Sequence, residues 1–208
     1  MPRISQEESA ARREQIIDSC AALYETKNYH DITMAQIARG ISFGRANMYN
    51  YFSCKDEIML ALLEREHQRW ADDLDALARL ASQLSDEELA DGLAASVEAR
   101  EQMLKLLAMN LYDMEQNSSL EALVQLKIAY GRVLSSLHGL VCAAKPSWDE
   151  ARVRRFAFGF MPFLHGVYPY CFHTKKQSEA MEVVGVPRPG LGVHEMVRSL
   201  ALQLFANG

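Results

Sequence analysis

Residues Ile32–Phe52 read ITMAQIARGISFGRANMYNYF, and the chain continues with the letters SCK. This segment carries the basic residues Arg39, Arg45 and Lys55 and no Asp or Glu, although the protein of 208 residues has a formal net charge of -5. Apolar residues recur at helical spacing before and after the letters ISFG, which predicts two short helices joined by a turn.

The two predicted helices, over about 34–40 and 44–51, each present one apolar stripe. The stripes consist of Met34, Ile37, Ala38 and Ile41 in the first helix and of Met48 and Phe52 in the second. If the second stripe points inward, Ala46 and Asn50 form the centre of the outward face. This arrangement is typical of a helix-turn-helix, whose second helix lies in the major groove of DNA.

The polar side chains of this segment suit contacts with DNA. Asn bonds bidentately to adenine and Arg to guanine, while hydroxyl groups and Lys amines suit phosphate oxygens. We predict base contacts from Arg45, Ala46, Asn47 and Asn50 and phosphate contacts from Thr33, Tyr49, Tyr51 and Lys55. Gly44, at the start of the same helix, is also predicted to belong to the DNA-binding site. A carboxylate here would face the phosphate backbone, which explains the missing acids. The alternative is a surface turn that is rich in polar residues.

The rest of the chain also shows helical periodicity, and no run alternates as a half-buried strand does, so we predict an all-helical fold. Further helices are predicted over about 7–27, 54–80, 119–144, 147–173 and 194–205, one long or two broken helices over 85–117, and a loop over 183–193. Capping boxes mark four of the helix starts: Thr33 with Gln36, Ser85 with Glu88, Ser118 with Glu121, and Ser147 with Glu150. Ser53 with Asp56 is a near match that marks a fifth start.

Composition narrows the class of protein. A hydrophobic content of 49% is ample for a packed core. No stretch approaches the roughly 18 apolar residues that a membrane span requires, and the N-terminus has no apolar run behind its positive charge, so we expect a cytoplasmic protein without membrane contact. The four scattered cysteines, Cys20, Cys54, Cys142 and Cys171, are expected to be free thiols.

From Thr33 to Ile58 the sequence resembles the DNA-binding segment of the TetR family of bacterial transcription regulators. The stretches TMAQIA, MYNYF and SCKDEI match the family's pattern without gaps. The resemblance implies an all-α fold in which an N-terminal three-helix helix-turn-helix domain, residues 1–53, is joined to a larger helical domain for ligand binding and dimerisation, residues 54–208.

The chain departs from the family's pattern in the turn. Ser42 stands where the family usually has Gly, and Gly44 stands where it usually has Ser. A Ser in a left-handed conformation costs roughly 1–2 kcal/mol. We therefore expect Gly40 or a shifted turn to take over the left-handed position.

The resemblance further implies a homodimer formed through the last two long helices, a palindromic operator in double-stranded DNA, and a pocket for a small-molecule effector of unknown identity. The apolar stretches over 156–167 and 193–205 agree with a partner surface. Candidate ligand-binding residues are Trp70, Met103, Leu107, Tyr112, Phe160 and His165, which suit a packed core equally well.

The function that these patterns favour is a ligand-responsive transcription repressor that acts without a cofactor. No catalytic motif is present, so we do not expect an enzyme. Four alternatives stay open. The first is a helical small-molecule-binding or scaffolding protein without operator binding, the second is a DNA-binding protein of structural rather than regulatory role, and the third is an activator in place of a repressor. The fourth is a metal-sensing regulator that uses His165, Cys171 and His173, and Cys54 is a candidate redox switch.

Overall fold

A computed structural model describes residues 5–109, 111–187 and 190–207, and these form helices, turns and loops without a strand. This confirms the all-helical prediction. The α-helices are α1 Gln6–Thr26, α2 Met34–Ile37, α3 Arg45–Met48, α4 Lys55–Ala78, α5 Asp86–Glu98, α6 Glu101–Leu107, α7 Leu111–Asn117, α8 Leu120–Ala144, α9 Glu150–Cys171, α10 Lys175–Val184 and α11 Val193–Asn207. Short 3-10 helices occupy Tyr29–Asp31, Ala38–Gly40 and Ala81–Gln83.

The chain divides into two compact units. The described residues of the first, which we call the head unit, are 5–66 and 111–130. Those of the second unit are 67–109, 131–187 and 190–207. The two compact units are not the two predicted domains, because residues of α4 and of α8 belong to both units. The domain boundary predicted between residues 53 and 54 therefore stays a prediction.

The head unit is built on α1. Its start is capped by Ser5, whose hydroxyl oxygen accepts a hydrogen bond from the backbone N–H of Glu8 at 3.0 Å. Ile16, Ile17 and Tyr24 of α1 are almost entirely buried. The predicted capping box at α2 is present, with Thr33 and Gln36 exchanging hydrogen bonds.

The second unit is organised around α5, α9 and α11. The predicted capping box of Ser85 and Glu88 begins α5. The apolar side of α11 is buried against α5 and α9 through Val193, Val197, Ala201 and Phe205. The ring of Phe156 in α9 stacks on that of Phe205 with centroids 5.1 Å apart, so aromatic packing joins these two helices.

At three helix starts the hydrogen bonds differ from the predicted ones. Ser119, not Ser118, caps α8 by accepting from the N–H of Ala122 at 3.3 Å. Asp149, not Ser147, caps α9 by accepting from the N–H of Arg152 at 2.7 Å. At α4 the acidic partner of Ser53 is Glu57 rather than Asp56.

Helix α10 was not predicted, and the loop after it begins at Gly185 rather than at residue 183. Thr174 caps the start of α10, and Gly185 ends it in the left-handed conformation with a φ of 69°. None of the residues of α10 is buried. Within the described parts of the chain, no helix is long and apolar enough to cross a membrane.

Candidate nucleic-acid interface

Helix α3 ends at Met48 rather than at the predicted residue 51, and Asn50 lies in the turn that follows it. The polar residues of the helix and of this turn point outward, as the apolar pattern predicts. The side chains of Met48 and Phe52 are buried, with exposed fractions of 0% and 5%. The predicted base-contacting residues Arg45, Ala46, Asn47 and Asn50 are all exposed. Of the predicted phosphate contacts, Thr33 and Tyr49 are exposed, while Tyr51 and Lys55 are half-buried. The exposed side chains of α3 and of the turn after it therefore include no acidic group and are accessible to a ligand, while Asn50 and Tyr51 also line a groove that contains Glu57, Glu64 and Glu121.

Two arginines of α1 hold the segment around α3 in place. The guanidinium of Arg13 lies 5.4 Å from the ring centroid of Phe52, and its Nη2 atom donates to Glu64 at 3.0 Å. The guanidinium of Arg12 lies 5.3 Å from the ring centroid of Phe43. These cation–π contacts fix the buried side of the motif, which orients its polar side.

The turn between α2 and α3 needs no left-handed residue. Among the described residues a positive φ occurs only at Gly185 and Gly190, so neither Gly40 nor a shifted turn provides the left-handed residue that we expected. Ser42 is held by its hydroxyl, which donates to Gln15 Oε1 at 2.8 Å. Gly44 is extended, with φ -62° and ψ 139°, at the cap position of α3.

Gly40 is required for another reason, which is close approach to α1. A Cβ atom at this position would lie 2.2 Å from the Oγ atom of Ser19. That hydroxyl donates to the carbonyl oxygen of Ile37 at 2.7 Å. The absence of a side chain at Gly40 therefore lets α1 contact the end of α2.

Lys55 has structural contacts that the sequence did not reveal. Its Nζ atom donates to the carbonyl oxygen of Tyr29 at 2.8 Å and lies 3.7 Å from the centroid of that ring. The Tyr29 hydroxyl in turn donates to the carboxylate of Asp56. An ammonium group has three N–H donors, so these contacts are compatible with a further bond to a phosphate.

Glu57 is a further residue that sequence reasoning missed. Its Oε2 atom accepts from the backbone N–H of Ser53 at 2.7 Å, and its Oε1 atom accepts from the backbone N–H of Ser119 at 3.0 Å. Burial raises the pKa of this carboxyl, but the hydrogen bonds from Ser53 and Ser119 together lower it by more. The resulting pKa lies below the ordinary value of 4.5. The carboxylate thus joins the starts of α4 and α8 within the head unit.

The six candidate ligand-binding residues do not share one environment. Trp70, Met103, Leu107 and Phe160 are buried in the second unit, where the indole N–H of Trp70 donates to Ser96 Oγ at 3.0 Å. Tyr112 belongs to the head unit and is 78% exposed, and His165 is exposed on α9. Burial of the other four side chains is equally what a packed core requires, so the ligand-binding role stays a prediction.

The cysteine and histidine candidates have other surroundings than a metal site. Among the residues that the structure describes, no three or more His, Cys, Asp or Glu side chains are grouped so as to hold a metal ion. The Sγ atom of Cys171 lies 3.6 Å from Sδ of Met196, and burial raises its pKa. The thiol of Cys54 donates to the carbonyl oxygen of Asn117 at 3.4 Å. The structure therefore gives no support to metal sensing by His165, Cys171 and His173.

An exposed, acid-free helix held by a helix-turn-helix, joined to a larger helical unit, defines a DNA-binding transcription regulator. Comparison with known families agrees. The family described as "Bacterial regulatory proteins, tetR family" matches residues 16–62, and the "Tetracyclin repressor-like, C-terminal domain" matches residues 64–208. The chain belongs to the TetR family of bacterial transcription regulators. These matches indicate a regulator rather than an enzyme.

Individual relatives are distant. The chain is 30% identical over 71 residues to the HTH-type transcriptional repressor Rv1474c of Mycobacterium tuberculosis. These residues are 34% of this chain and 38% of that protein. It is 28% identical over 171 residues to the HTH-type transcriptional regulator BetI of Brucella canis, covering 81% of this chain and 82% of that protein.

Solved structures show the same fold at lower identity. A TetR-family transcriptional regulator of Mesorhizobium loti aligns with a TM-score of 0.62 at 16% identity, covering 95% of this chain and 96% of that one. The fatty acid degradation regulator FadR of Bacillus halodurans aligns with a TM-score of 0.60 at 16% identity, covering 93% and 94% of the two chains.

Proposed function

We propose that this protein is a repressor that binds a palindromic operator as a homodimer and is released by a small molecule bound in its second unit. The observation that carries the proposal is the outward surface of α3 and of the turn after it, where Arg45, Asn47 and Asn50 are exposed beside the small Ala46 and no residue from 45 to 52 is acidic. The relative named a repressor in Mycobacterium tuberculosis supports the direction of regulation.

Contacts with DNA divide into two classes under this proposal. Arg45, Asn47 and Asn50 read base edges in the major groove, and Ala46 lets the helix approach closely. Thr33, Tyr49, Tyr51 and Lys55 bind phosphates, which fixes the orientation of α3 without reading sequence. Gly44 begins α3 with an extended backbone, and a Cβ built there would meet no atom within 4 Å.

The dimer forms through the exposed side of α9 together with α11. Phe158 is 73% exposed, and Pro162, His165 and Pro169 follow it on the same side of α9 at helical spacing. Because α11 buries Val193, Val197, Ala201 and Phe205 within its own chain, it contributes half-buried residues such as Leu200 and Leu204. Two-fold symmetry then places two α3 helices on successive major grooves, roughly 34–36 Å apart.

Release from DNA follows from differential affinity. An effector that binds the second unit more tightly in a conformation whose α3 helices do not match two successive grooves lowers the affinity for the operator. The residues proposed to surround the effector are Trp70, Met103, Leu107 and Phe160, of which Met and the aromatic groups adapt well to apolar ligands.

The test is selection of bound duplexes from a random DNA pool by the purified protein, followed by sequencing. The expected result is enrichment of a two-fold symmetric motif. Replacing Asn50 by Ala should then relax the preference at one position of each half-site, by about 1–3 kcal/mol. A protein that is a folded dimer and enriches no sequence at low salt would contradict operator binding and leave a scaffolding or small-molecule-binding role.

A matched pair of variants separates the effect of a charge on the surface of α3 from the effect of the protein's net charge. Ala46→Glu places a carboxylate at the centre of the outward face of α3 and should weaken binding to every duplex. Ala180→Glu makes the same change at an exposed position of α10, far along the chain from the helix-turn-helix, and should bind as the unmodified protein does. Equal losses in the two variants would show that net charge, not the surface of α3, governs binding.

A further inference from the structure

The side chain of Glu57 connects two backbone segments that are far apart in sequence. Ser53 and Ser119 each donate a backbone N–H to its carboxylate, at 2.7 and 3.0 Å, and Glu57 is only 7% exposed. The thiol of Cys54 adds a weaker bond between the same segments, to the carbonyl oxygen of Asn117 at 3.4 Å. We call this arrangement of Ser53, Cys54, Glu57, Asn117 and Ser119 the Glu57 joint.

The joint is a favourable place for a negative charge. Ser53 precedes the start of α4 and Ser119 precedes the start of α8, so the carboxylate receives donors at two helix N-termini, where the helix dipoles favour an anion. Charge-assisted bonds to backbone N–H groups are among the stronger hydrogen bonds in proteins. The pKa of Glu57 below its ordinary value agrees with a carboxylate that is held in the charged form.

One end of the joint continues directly from the segment that carries α3, and the other end continues directly into α8. Ser53 directly follows Phe52, the buried residue that ends the segment carrying α3. Ser119 directly precedes α8, a continuous helix over Leu120–Ala144 whose residues from Gly131 onward belong to the second unit. One side chain therefore bonds the backbone just after α3 to the backbone just before α8.

A polar groove of about 310 Å³ lies beside the joint. It is lined by residues of both segments, among them Asn50 and Ser119, and by the acidic residues Glu57, Glu64 and Glu121. The hydrogen bonds of Glu57 are specific connections between the two segments at the side of this groove.

We infer that Glu57 is a positioning residue that couples the placement of α3 to that of α8, so that a shift at the start of α8 reorients α3 and DNA bound at α3 restrains the start of α8. This inference rests on the proposed function, in which α3 binds an operator and the second unit answers to an effector. Because coupling between two sites is reciprocal, it can be measured from the DNA side, without knowledge of the effector.

The experiment is amide hydrogen exchange of the full chain with and without a duplex selected from the random pool. In the unmodified protein the duplex should slow exchange over residues 34–52 and also over residues 119–127, by roughly 5-fold or more at the second site. In Glu57→Gln, which keeps only one acceptor oxygen, slowing over 34–52 should persist while slowing over 119–127 is lost.

Two matched pairs of variants separate coupling from a merely structural role. Glu25→Gln removes a carboxylate from an exposed position near the end of α1, in the head unit but outside the groove beside the joint, and should behave as the unmodified protein does. Ser119→Pro removes the N–H that bonds Glu57 and should reproduce the effect of Glu57→Gln. Ser119→Ala keeps that N–H while losing the hydroxyl cap, and should retain the slowing over 119–127.

The outcomes are distinct. Slowing over 119–127 that persists in both Glu57→Gln and Ser119→Pro would overturn the inference, as would slowing over 34–52 alone in the unmodified protein. A duplex that slows exchange at neither site would overturn the proposed function, and the inference with it.

Discussion

Gly40 lies where the helix-turn-helix approaches α1 most closely. A Cβ atom there would be 2.2 Å from Oγ and 2.9 Å from Cβ of Ser19. Rotation of the Ser19 side chain would relieve the first contact at the expense of its hydrogen bond to Ile37 but leave the second, so α1 would have to move. We predict that Gly40→Ala destabilises the head unit by about 1–3 kcal/mol.

Gly44 provides the control for this prediction, because a Cβ there would meet no atom within 4 Å and its φ of -62° suits any residue. Gly44→Ala should change stability by less than about 1 kcal/mol. The measurement is amide exchange over residues 16–24, since both tryptophans lie outside the head unit and their fluorescence does not report on it. Equal protection in Gly40→Ala and the unmodified protein would show that α1 adjusts freely.

Glu57 should give the protein a specific pH dependence. Its pKa is lower in the folded state than the ordinary value of 4.5, so its hydrogen bonds stabilise the fold above that value and are lost as pH falls through the folded-state pKa. We predict that the difference in free energy of unfolding between the unmodified protein and Glu57→Gln is constant near neutral pH. It should shrink below about pH 4.5.

Urea unfolding followed by far-UV circular dichroism, at several pH values for both proteins, measures this difference. Other carboxylates titrate in both proteins, so their contributions cancel in the comparison. A difference that stays the same down to about pH 3 would show that Glu57 contributes by its shape rather than by its charge.

Helix α8 contains two glycines with no packing reason to be there. A Cβ atom at Gly131 or Gly139 would meet no atom within 4 Å, and both positions are exposed. Glycine within a helix costs roughly 0.5–1 kcal/mol relative to alanine. We predict that Gly131→Ala and Gly139→Ala each raise the free energy of unfolding by about this amount, measured by urea unfolding.

Gly92 in α5 is the matched control, because a Cβ there would lie 2.8 Å from Cδ1 of Leu77. Gly92→Ala forces that side chain to shift, so its gain in helix propensity should be reduced or reversed. If the two α8 variants instead lost stability, or changed the self-association of the protein, the outer side of α8 would have to be packed against another surface.

Two helix starts have the caps that the sequence predicted. Thr33 with Gln36 and Ser85 with Glu88 form complete capping boxes, with both reciprocal hydrogen bonds present. At α8 and α9 a second capping residue stands close by, and Ser119 and Asp149 take the position instead. The choice depends on tertiary contacts such as that between Ser119 and Glu57, which spacing does not reveal.

Prediction of the candidate sites had a similar limit. The outward face of α3 followed from the burial of Met48 and Phe52, which the apolar pattern indicated. Exposure of Tyr112 and burial of Trp70, by contrast, depend on which helices pack together, and amino-acid type alone does not determine this. Glu57 escaped notice because its partner Ser119 lies 62 residues further along the chain.

The protein can bind both halves of a palindromic operator only if two copies of the chain associate with two-fold symmetry. The apolar side of α11 is satisfied within its own chain, whereas Phe158 on α9 is 73% exposed. A large aromatic residue at the centre of an exposed helical face is a typical energetic hot spot of an interface. Association of two chains through α9 would give this side chain the burial that it lacks in one chain.

We therefore predict that Phe158→Asp raises the dissociation constant of the homodimer at least about tenfold, because it buries a charge in place of an aromatic ring. Sedimentation velocity over a range of concentrations measures the change. Val183→Asp makes a comparable change at a residue of α10 that is 86% exposed, and should leave the dimer intact. Binding to the palindromic duplex should weaken in Phe158→Asp only, while a duplex with a single half-site should bind both variants equally. A Phe158→Asp protein that remains dimeric at the lowest measurable concentration would place the dimer interface elsewhere than α9, and loss of binding to the single half-site would indicate damage to the head unit instead.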